Sequence, residues 1–325
     1  MPLTFFKIFL PAVSLACAML GLYLIALWLG VETVSWLFLL GFPAIAGFII
    51  MWFRPQNTFK TFGASLAWLI GTMWLAVALS LISGLEGMIC VAMALFPIII
   101  GTLIGGLLYL LVLRWRGRSQ TRLMAVTLPL LALGLLDLAP VPPQTYAISN
   151  TVIIDAPPVL VFDMLKTIPD IAPDEVPTRA SHLLGVPKPT QAIWEERFEG
   201  AIRHSYWGDG VRFDERITAF EQDRRIAWDF EFPEGWIEEG IEDPHITVGG
   251  RYFDVLSGEY RVEDLGAKTR LTLTTWTYDS SRLGRYAEFW HVFFFDDFHE
   301  TILTVVKSRS EARASSVTGA VTAEF

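Results

Sequence analysis

Five histidines, His182, His204, His245, His291 and His299, are the side chains of this sequence best placed to exchange protons or ligate a metal near neutral pH. His291 shares an apolar helical stripe with Phe295, Phe298 and Ile302, so it suits a polar anchor or general base inside a cavity. A core histidine satisfied by a neighbouring side chain fits the same pattern. His299 lies at the edge of that stripe, eight residues on, too far along the helix for the adjacent-turn spacing of a paired metal site. Glu234, Glu238, Glu239, Glu242, Asp243 and His245 crowd one stretch around Gly235 and Gly240. Clustered oxygens suit Ca²⁺, but the spacing is not that of an EF-hand, and a solvated acidic loop is the reading adopted. The sequence holds no Gly-x-Ser-x-Gly elbow, phosphate-binding glycine loop, His-Glu-x-x-His or Cys-x-x-Cys. No metal, cofactor or catalytic set is therefore expected, and acid/base enzymology stays open beside simple binding.

The elements that must position these groups fall into two physical regimes. Of 325 residues, 53% are hydrophobic and 18% charged, with a net charge of −9, which is too apolar for an ordinary water-soluble domain. Residues 1–140 carry 7 Lys/Arg and 3 Asp/Glu, a charge of +4, leaving 18 and 31, or −13, for residues 141–325. The acidic second part excludes a nucleic-acid binder, because phosphate neutralisation needs a basic patch. Five segments approach the roughly 20 apolar residues that cross a bilayer: Thr4–Leu29, Val34–Phe53, Phe62–Ile82, Met88–Leu113 and Leu123–Val141. Arg54 and Lys60 follow the second, and Arg114, Arg116, Arg118 and Arg122 follow the fourth. Those loops are therefore cytoplasmic, with the N-terminus, in a multi-pass protein of the plasma (inner) membrane. The fifth segment, interrupted by Pro129, decides the rest: if it spans, residues 142–325 are extracytoplasmic, and if it does not, they are cytoplasmic. Gly101 and Gly105 form a small-xxx-small pair expected to serve helix packing. Cys17 and Cys90 both lie in apolar segments, so no disulfide framework is expected.

Pro140, Pro142 and Pro143 mark a stiff exit into a second domain, so the expected division is 1–141 and 142–325. Tyr146–Ile154 reads as a strand, followed by Asp155-Ala156-Pro157-Pro158, a helix-start pattern, and a helix over Val159–Ile168. Residues 169–190 read as loop or short helix. Strands follow at Ile193–Phe198, Ala201–Trp207, Val211–Phe220, Arg224–Phe232, Arg251–Val262 and Thr269–Tyr278. Ile226, Trp228, Phe230 and Phe232 alternate with Arg225, Ala227, Asp229 and Glu231, the pattern of a sheet wet on one face. A final helix over about 285–313 carries the stripe Phe295, Phe298, Ile302, Val305 and Val306. Phe289, Trp290 and Phe293 lie roughly opposite that stripe, under the 169–190 loop or against lipid. The fold class is thus α+β: a transmembrane helical bundle, then a curved antiparallel sheet wrapped on a long C-terminal helix.

This order resembles the helix-grip fold of the START-related SRPBCC superfamily, which includes polyketide cyclase/dehydrase-like and lipid-transfer proteins. Residues 152–165, Val-Ile-Ile-Asp-Ala-Pro-Pro-Val-Leu-Val-Phe-Asp-Met-Leu, are similar to the family's opening strand and helix start. Gly210–Thr218, Arg225–Trp228 and Thr269–Leu273 resemble its middle strands. The resemblance covers about residues 145–312. It implies a cavity between the sheet and the last helix that takes a lipid or hydrophobic small molecule. Trp194, Tyr206, Trp228, Phe230, Trp276, Phe295 and Phe298 are the candidate walls, and His291 or Arg203 the candidate polar anchor. Plain core accounts for each of these aromatics without any ligand, because burying an aromatic ring needs no function to justify it. Three readings follow: ligand binding at the membrane for transfer or sensing, a cyclase, dehydrase or hydrolase using the same cavity, or a docking module for a membrane-protein partner or a second copy.

Overall fold

The computed structural model describes residues 2–55, 58–114, 135, 137, 141–198, 200–238 and 245–322. The chain divides into two compact units. The first comprises Met1–Pro142 with Asp243–His245 and Ser281–Gly284, and the second Pro143–Glu242, Ile246–Ser280 and Arg285–Phe325.

In the first unit, helices α1 (Pro2–Trp28), α2 (Phe42–Trp52), α3 (Phe62–Ile82) and α4 (Met88–Arg114) form the apolar part. Among the described residues three stretches are long and apolar enough to cross a membrane, Phe6–Trp28, Phe62–Ile82 and Met88–Arg114, against the five expected. The fifth expected segment falls almost entirely outside the described residues. The second shrinks to Leu37–Trp52, too short by length alone. The expected first residues, Val34 and Ser35, form a bend, and the helix then opens with a π-helical turn at Leu37–Gly41 that runs on into α2, with Pro43 in its first turn. The Asp137 carboxylate accepts hydrogen bonds from the Trp36 and Leu37 amides (3.2 and 2.6 Å), satisfying donors that a helix start leaves open. Met19, Ala46, Ile50, Met51, Trp68, Leu69, Met73 and Tyr109 form the buried centre, and the Trp68 indole donates to the Ile50 carbonyl at 3.0 Å. Within this unit, too, the Tyr23 phenol donates to Glu86 and lies 2.8 Å from His245 Nε2.

Glycines let α2 and α4 approach backbone to backbone. A Cβ on Gly105 would meet the Ala44 carbonyl oxygen at 2.0 Å, and one on Gly101 the Leu40 carbonyl oxygen at 2.5 Å. The small-xxx-small pair thus serves helix packing within one chain.

The second unit is built on strands β1 (Gln144–Ile154), β2 (Pro189–Arg197), β3 (Gly200–Trp207), β4 (Arg212–Glu221), β5 (Arg225–Glu231), β6 (Phe253–Asp264) and β7 (Thr269–Asp279). All neighbours run antiparallel in the order β1-β7-β6-β5-β4-β3-β2. Bulges fall between Pro189 and Gln191, Ile217 and Ala219, and Val255 and Ser257. Each adds local twist and bends the sheet. Asp223, at φ 60°, turns β4 into β5 in a conformation that Asp tolerates better than most residues.

Between β1 and β2 lie α5 (Pro158–Lys166), which opens with Pro in its first turn, and the single turn α6 (Ala180–Leu183). The last helix, α7, runs Arg285–Thr322, nine residues beyond the expected end. β7 alternates buried Thr269, Leu271, Leu273, Thr275, Thr277 and Asp279 with more open residues, so the odd positions face α7. The expected α+β architecture, a curved antiparallel sheet with a long terminal helix, is the one observed.

The Gly105 contact predicts that Gly105→Leu lowers the thermal unfolding midpoint in detergent by roughly 5 °C or more, as expected for backbone overpacking. Gly71→Ala, at a site with nothing within 4 Å of the added carbon, leaves it unchanged.

Candidate functional site

Strand alternation decides which expected residues share the face beneath α7. Trp194 pairs with Arg203, Arg203 with Glu215, Glu215 with Phe230, and Trp228 sits two residues before Phe230. These side chains therefore line one face, together with Phe213, which pairs with Ser205. Tyr206 lies between inward Ser205 and Trp207, and Trp276 between Thr275 and Thr277, so both stand on the opposite face. The structure thus brings together Trp194, Arg203, Trp228, Phe230, His291, Phe295 and Phe298 and separates Tyr206 and Trp276 from them.

The covered face has two ends of different character. At one, Ile154, Val161, Phe162, Leu165, Ile226, Trp228, Tyr260, Val262, Leu271, Leu303, Val305 and Val306 form a closed core. At the other the packing is aromatic and only half buried. Trp207 meets Phe298 of α7 edge-on at 5.5 Å, and Phe213 contacts Phe230 at 5.7 Å and Phe232 at 5.9 Å. Phe232 meets Trp236 at 4.9 Å, and Phe298 contacts Phe295 at 5.4 Å. Trp207, Phe213, Phe232 and Trp236 are additions to the wall. Sequence alternation could have found Phe213 and Phe232, whereas Trp236 lies in a loop whose path no periodicity reports.

Arg203 marks the boundary between these ends and is fully engaged. Its Nε donates to Glu215 at 2.7 Å, a second nitrogen pairs with the same carboxylate, and a third donates to the Leu165 carbonyl at 2.6 Å. Ser205 donates to the other Glu215 oxygen at 2.9 Å. The guanidinium lies 5.1 Å from both the Trp228 and Tyr260 ring centroids. Burial pushes the Glu215 carboxyl up, and the adjoining guanidinium pulls it down. With its donors committed to protein oxygens, Arg203 pins α5 to the sheet; a ligand head would have to compete with Glu215 for it.

Two histidines of α7 reach β7. His291 Nδ1 lies 2.7 Å from Thr277 Oγ1, and its ring packs 4.9 Å from Tyr146 and 5.3 Å from Phe253. Burial holds His291 below its ordinary value, opposed by Asp279. Burial, then the charges of Asp279 and Glu288 and a hydrogen bond to Asp279, push the Tyr146 phenol up to about 12. His299 Nε2 lies 2.8 Å from Thr275 Oγ1 and its Nδ1 2.7 Å from Asn150 Oδ1, while Asn150 donates to Asp296 at 3.0 Å. Burial pushes His299 down to about 4, so the ring is neutral at physiological pH.

His204 lies on the opposite face between two carboxylates, Asp214 at 2.6 Å and Glu195 at 2.8 Å. Burial lowers its pKa, but both hydrogen bonds and both charges outweigh this and raise it overall. Among the described residues no cluster of three or more His, Cys, Asp or Glu side chains could hold a metal ion. The Glu239–Asp243 part of the acidic stretch lies outside the described residues.

Two predictions follow from these charges. Glu215→Ala strands a buried guanidinium and costs about 3–5 kcal/mol in denaturant unfolding, whereas the double variant Arg203→Met, Glu215→Leu costs less than the single one. His204 carries a raised pKa in the fold, so its stabilisation is complete below the ordinary value of 6.5 and fades as pH rises through the folded value. The gap in unfolding midpoint between the parent and His204→Gln is therefore widest near pH 5–6 and closes on the alkaline side.

No family model matches the chain, and no curated protein matches it. Solved structures that resemble it are helix-grip folds. One is the Zhui aromatase/cyclase from Streptomyces sp. R1128, at 18% identity over 52% of this chain and 96% of that one, with a TM-score of 0.34. Another is norcoclaurine synthase from Thalictrum flavum, solved with dopamine and hydroxybenzaldehyde, at 11% identity over 51% and 86%, with a TM-score of 0.31. A third is Ara h 8.0201, at 9% identity over 53% and 99%, with a TM-score of 0.31. Each likeness spans about half of the present chain and nearly all of its counterpart.

Proposed function

We propose that this protein is a membrane-anchored module that binds a lipid or other hydrophobic small molecule between its sheet and its terminal helix, for transfer or sensing. The observation that carries the reading is the contrast within one covered face. One end is closed, while the wall of Trp207, Phe213, Phe230, Phe232, Trp236 and Phe298 stays half buried although Trp207 there meets Phe298 of α7. Apolar walls with few polar anchors characterise small-molecule sites. Burying about 200 Å² of ligand there contributes about 5 kcal/mol. The apolar helices of the first unit tether the module to the bilayer, where such ligands concentrate. The basic loops orient the chain with its N-terminus in the cytoplasm, and a fifth span would deliver the second unit to the far side.

A second reading, a cyclase-, dehydrase- or hydrolase-type enzyme using the same face, draws on His291: it is held against Thr277 beside Tyr146 and Asp279, an arrangement suited to proton transfer.

Purification of the full chain in mild detergent, followed by organic extraction and mass spectrometry, is expected to yield one class of hydrophobic molecule in near-stoichiometric amount. Phe298→Ala reduces that yield, or the affinity for an added naphthalene probe, by at least about five-fold, the scale of one lost aromatic contact. Absence of any co-purified molecule, together with no probe binding, would sink the proposal.

A further inference from the structure

A chain of hydrogen bonds crosses the covered face, and its direction can be assigned atom by atom. Asn150 Nδ2 donates to the Asp296 carboxylate at 3.0 Å, which turns the amide oxygen toward His299. That oxygen accepts from His299 Nδ1–H at 2.7 Å. The neutral ring, its pKa held at about 4 by burial, has no second proton, so Nε2 accepts from the Thr275 hydroxyl at 2.8 Å. Thr275 has then used its only hydrogen, and its oxygen keeps lone pairs to receive another. Thr275 is 3% exposed and His299 2%.

Along the same row of the sheet Thr275 pairs with Gly258, and Gly258 with Trp228. Trp228 is 2% exposed, and its Nε1–H has no hydrogen-bond partner among the described residues. Its indole edge occupies the space that a side chain at position 258 would fill: a Cβ there would fall 2.3 Å from Cζ2 and 2.8 Å from Nε1. The glycine thus lets an unsatisfied donor lie over the strand next to that of Thr275, one inter-strand spacing of about 4.8 Å away. Two hydrogen bonds through a single oxygen atom span about the same distance. A buried donor without a partner costs about 1–3 kcal/mol, so its retention calls for a partner.

We propose that Trp228 Nε1–H and Thr275 Oγ1 form a subsite for one hydroxyl group, the alcohol or phenol of the hydrophobic ligand. The hydroxyl oxygen accepts from the indole, and its hydrogen is donated to Thr275. A carbonyl or ether oxygen satisfies only the indole. This inference rests on the ligand-binding reading above and narrows it to hydroxyl-bearing ligands. An enclosed water has the same donor and acceptor pattern, and the test separates the two.

The experiment is calorimetric titration of the full chain in lipid nanodiscs, with empty discs as blank, using naphthalene, 1-methoxynaphthalene and 1-naphthol. The expected result is that 1-naphthol binds about ten-fold tighter than naphthalene, the scale of one net hydrogen bond, and that the methyl ether loses most of this gain. Thr275→Val, nearly isosteric, and Trp228→Phe each bring the naphthol advantage, taken as the ratio of the two affinities measured on the same variant, below about two-fold. The valine variant keeps the test decisive if the core substitution at 228 perturbs folding. Equal binding of naphthol and naphthalene by the parent overturns the subsite and leaves the hydrophobic-ligand reading standing. Persistence of the advantage in Thr275→Val also overturns it. Failure of all three probes to bind overturns the hydrophobic-ligand reading and the subsite with it.

Discussion

The arrangement depends on how α7 is held against β7. Two polar pairs, His291 with Thr277 and His299 with Thr275, join the helix to one strand across an otherwise apolar face. Between the two histidines the helix advances about 12 Å, whereas the strand advances only about 7 Å between the two threonines. The helix therefore crosses the strand obliquely, and its two ends meet different parts of the sheet. Buried polar groups are costly when unpaired, so these pairs favour one seating of the helix over neighbouring registers. Hydrophobic burial alone is non-directional and would tolerate several.

That seating divides the covered face. Toward the C-terminal half of α7, small branched side chains such as Val305 and Val306 pack without exposure against Leu271 and Ile154. Toward its start, aromatic rings replace them, and edge-on and tilted contacts leave the wall half open. The Arg203–Glu215 pair stands between these parts, tying β3 and β4 to the carbonyl of Leu165 at the end of α5. Replacing such a pair with apolar residues often raises stability, so its presence is better explained as fixing the position of α5 than as strengthening the core.

Outside that face the sheet is charged and conventional. Arg216 with Asp229 and Glu231, and Arg270 with Glu263, are half-exposed pairs of small energetic weight, whereas Arg225 pairs with a buried carboxylate, Glu259. His204 differs because both its ring nitrogens meet carboxylates. Its pH response opposes that of His299: a raised pKa loses stabilisation as pH rises, and the lowered one of His299 loses it as pH falls from 6.5 toward about 4.

Period-2 alternation and turn residues placed all seven strands to within a few residues, and the 3.6 period located the last helix, because these patterns follow directly from which side chains must leave water. Composition likewise marked the apolar helices, but within the run Val34–Phe53 the helix begins only after a bend at Val34 and Ser35 and opens with a π turn, which hydropathy does not register. Within the site, the identity of the face was decided by parity within each strand. Trp276 and Tyr206 are as aromatic as Trp228 and Phe230, yet one residue of offset turns them to the other side. Strand pairing sets Glu215 opposite Arg203, twelve residues away in sequence and in contact in space, a partner that no local pattern in the sequence reports. The sequence by itself determined which segments become strands and helices, since local periodicity encodes burial. Only the tertiary structure decided which polar atoms are satisfied and which, like the Trp228 indole N–H, are left for something else, because hydrogen-bond partners come from strands and helices far apart in the chain.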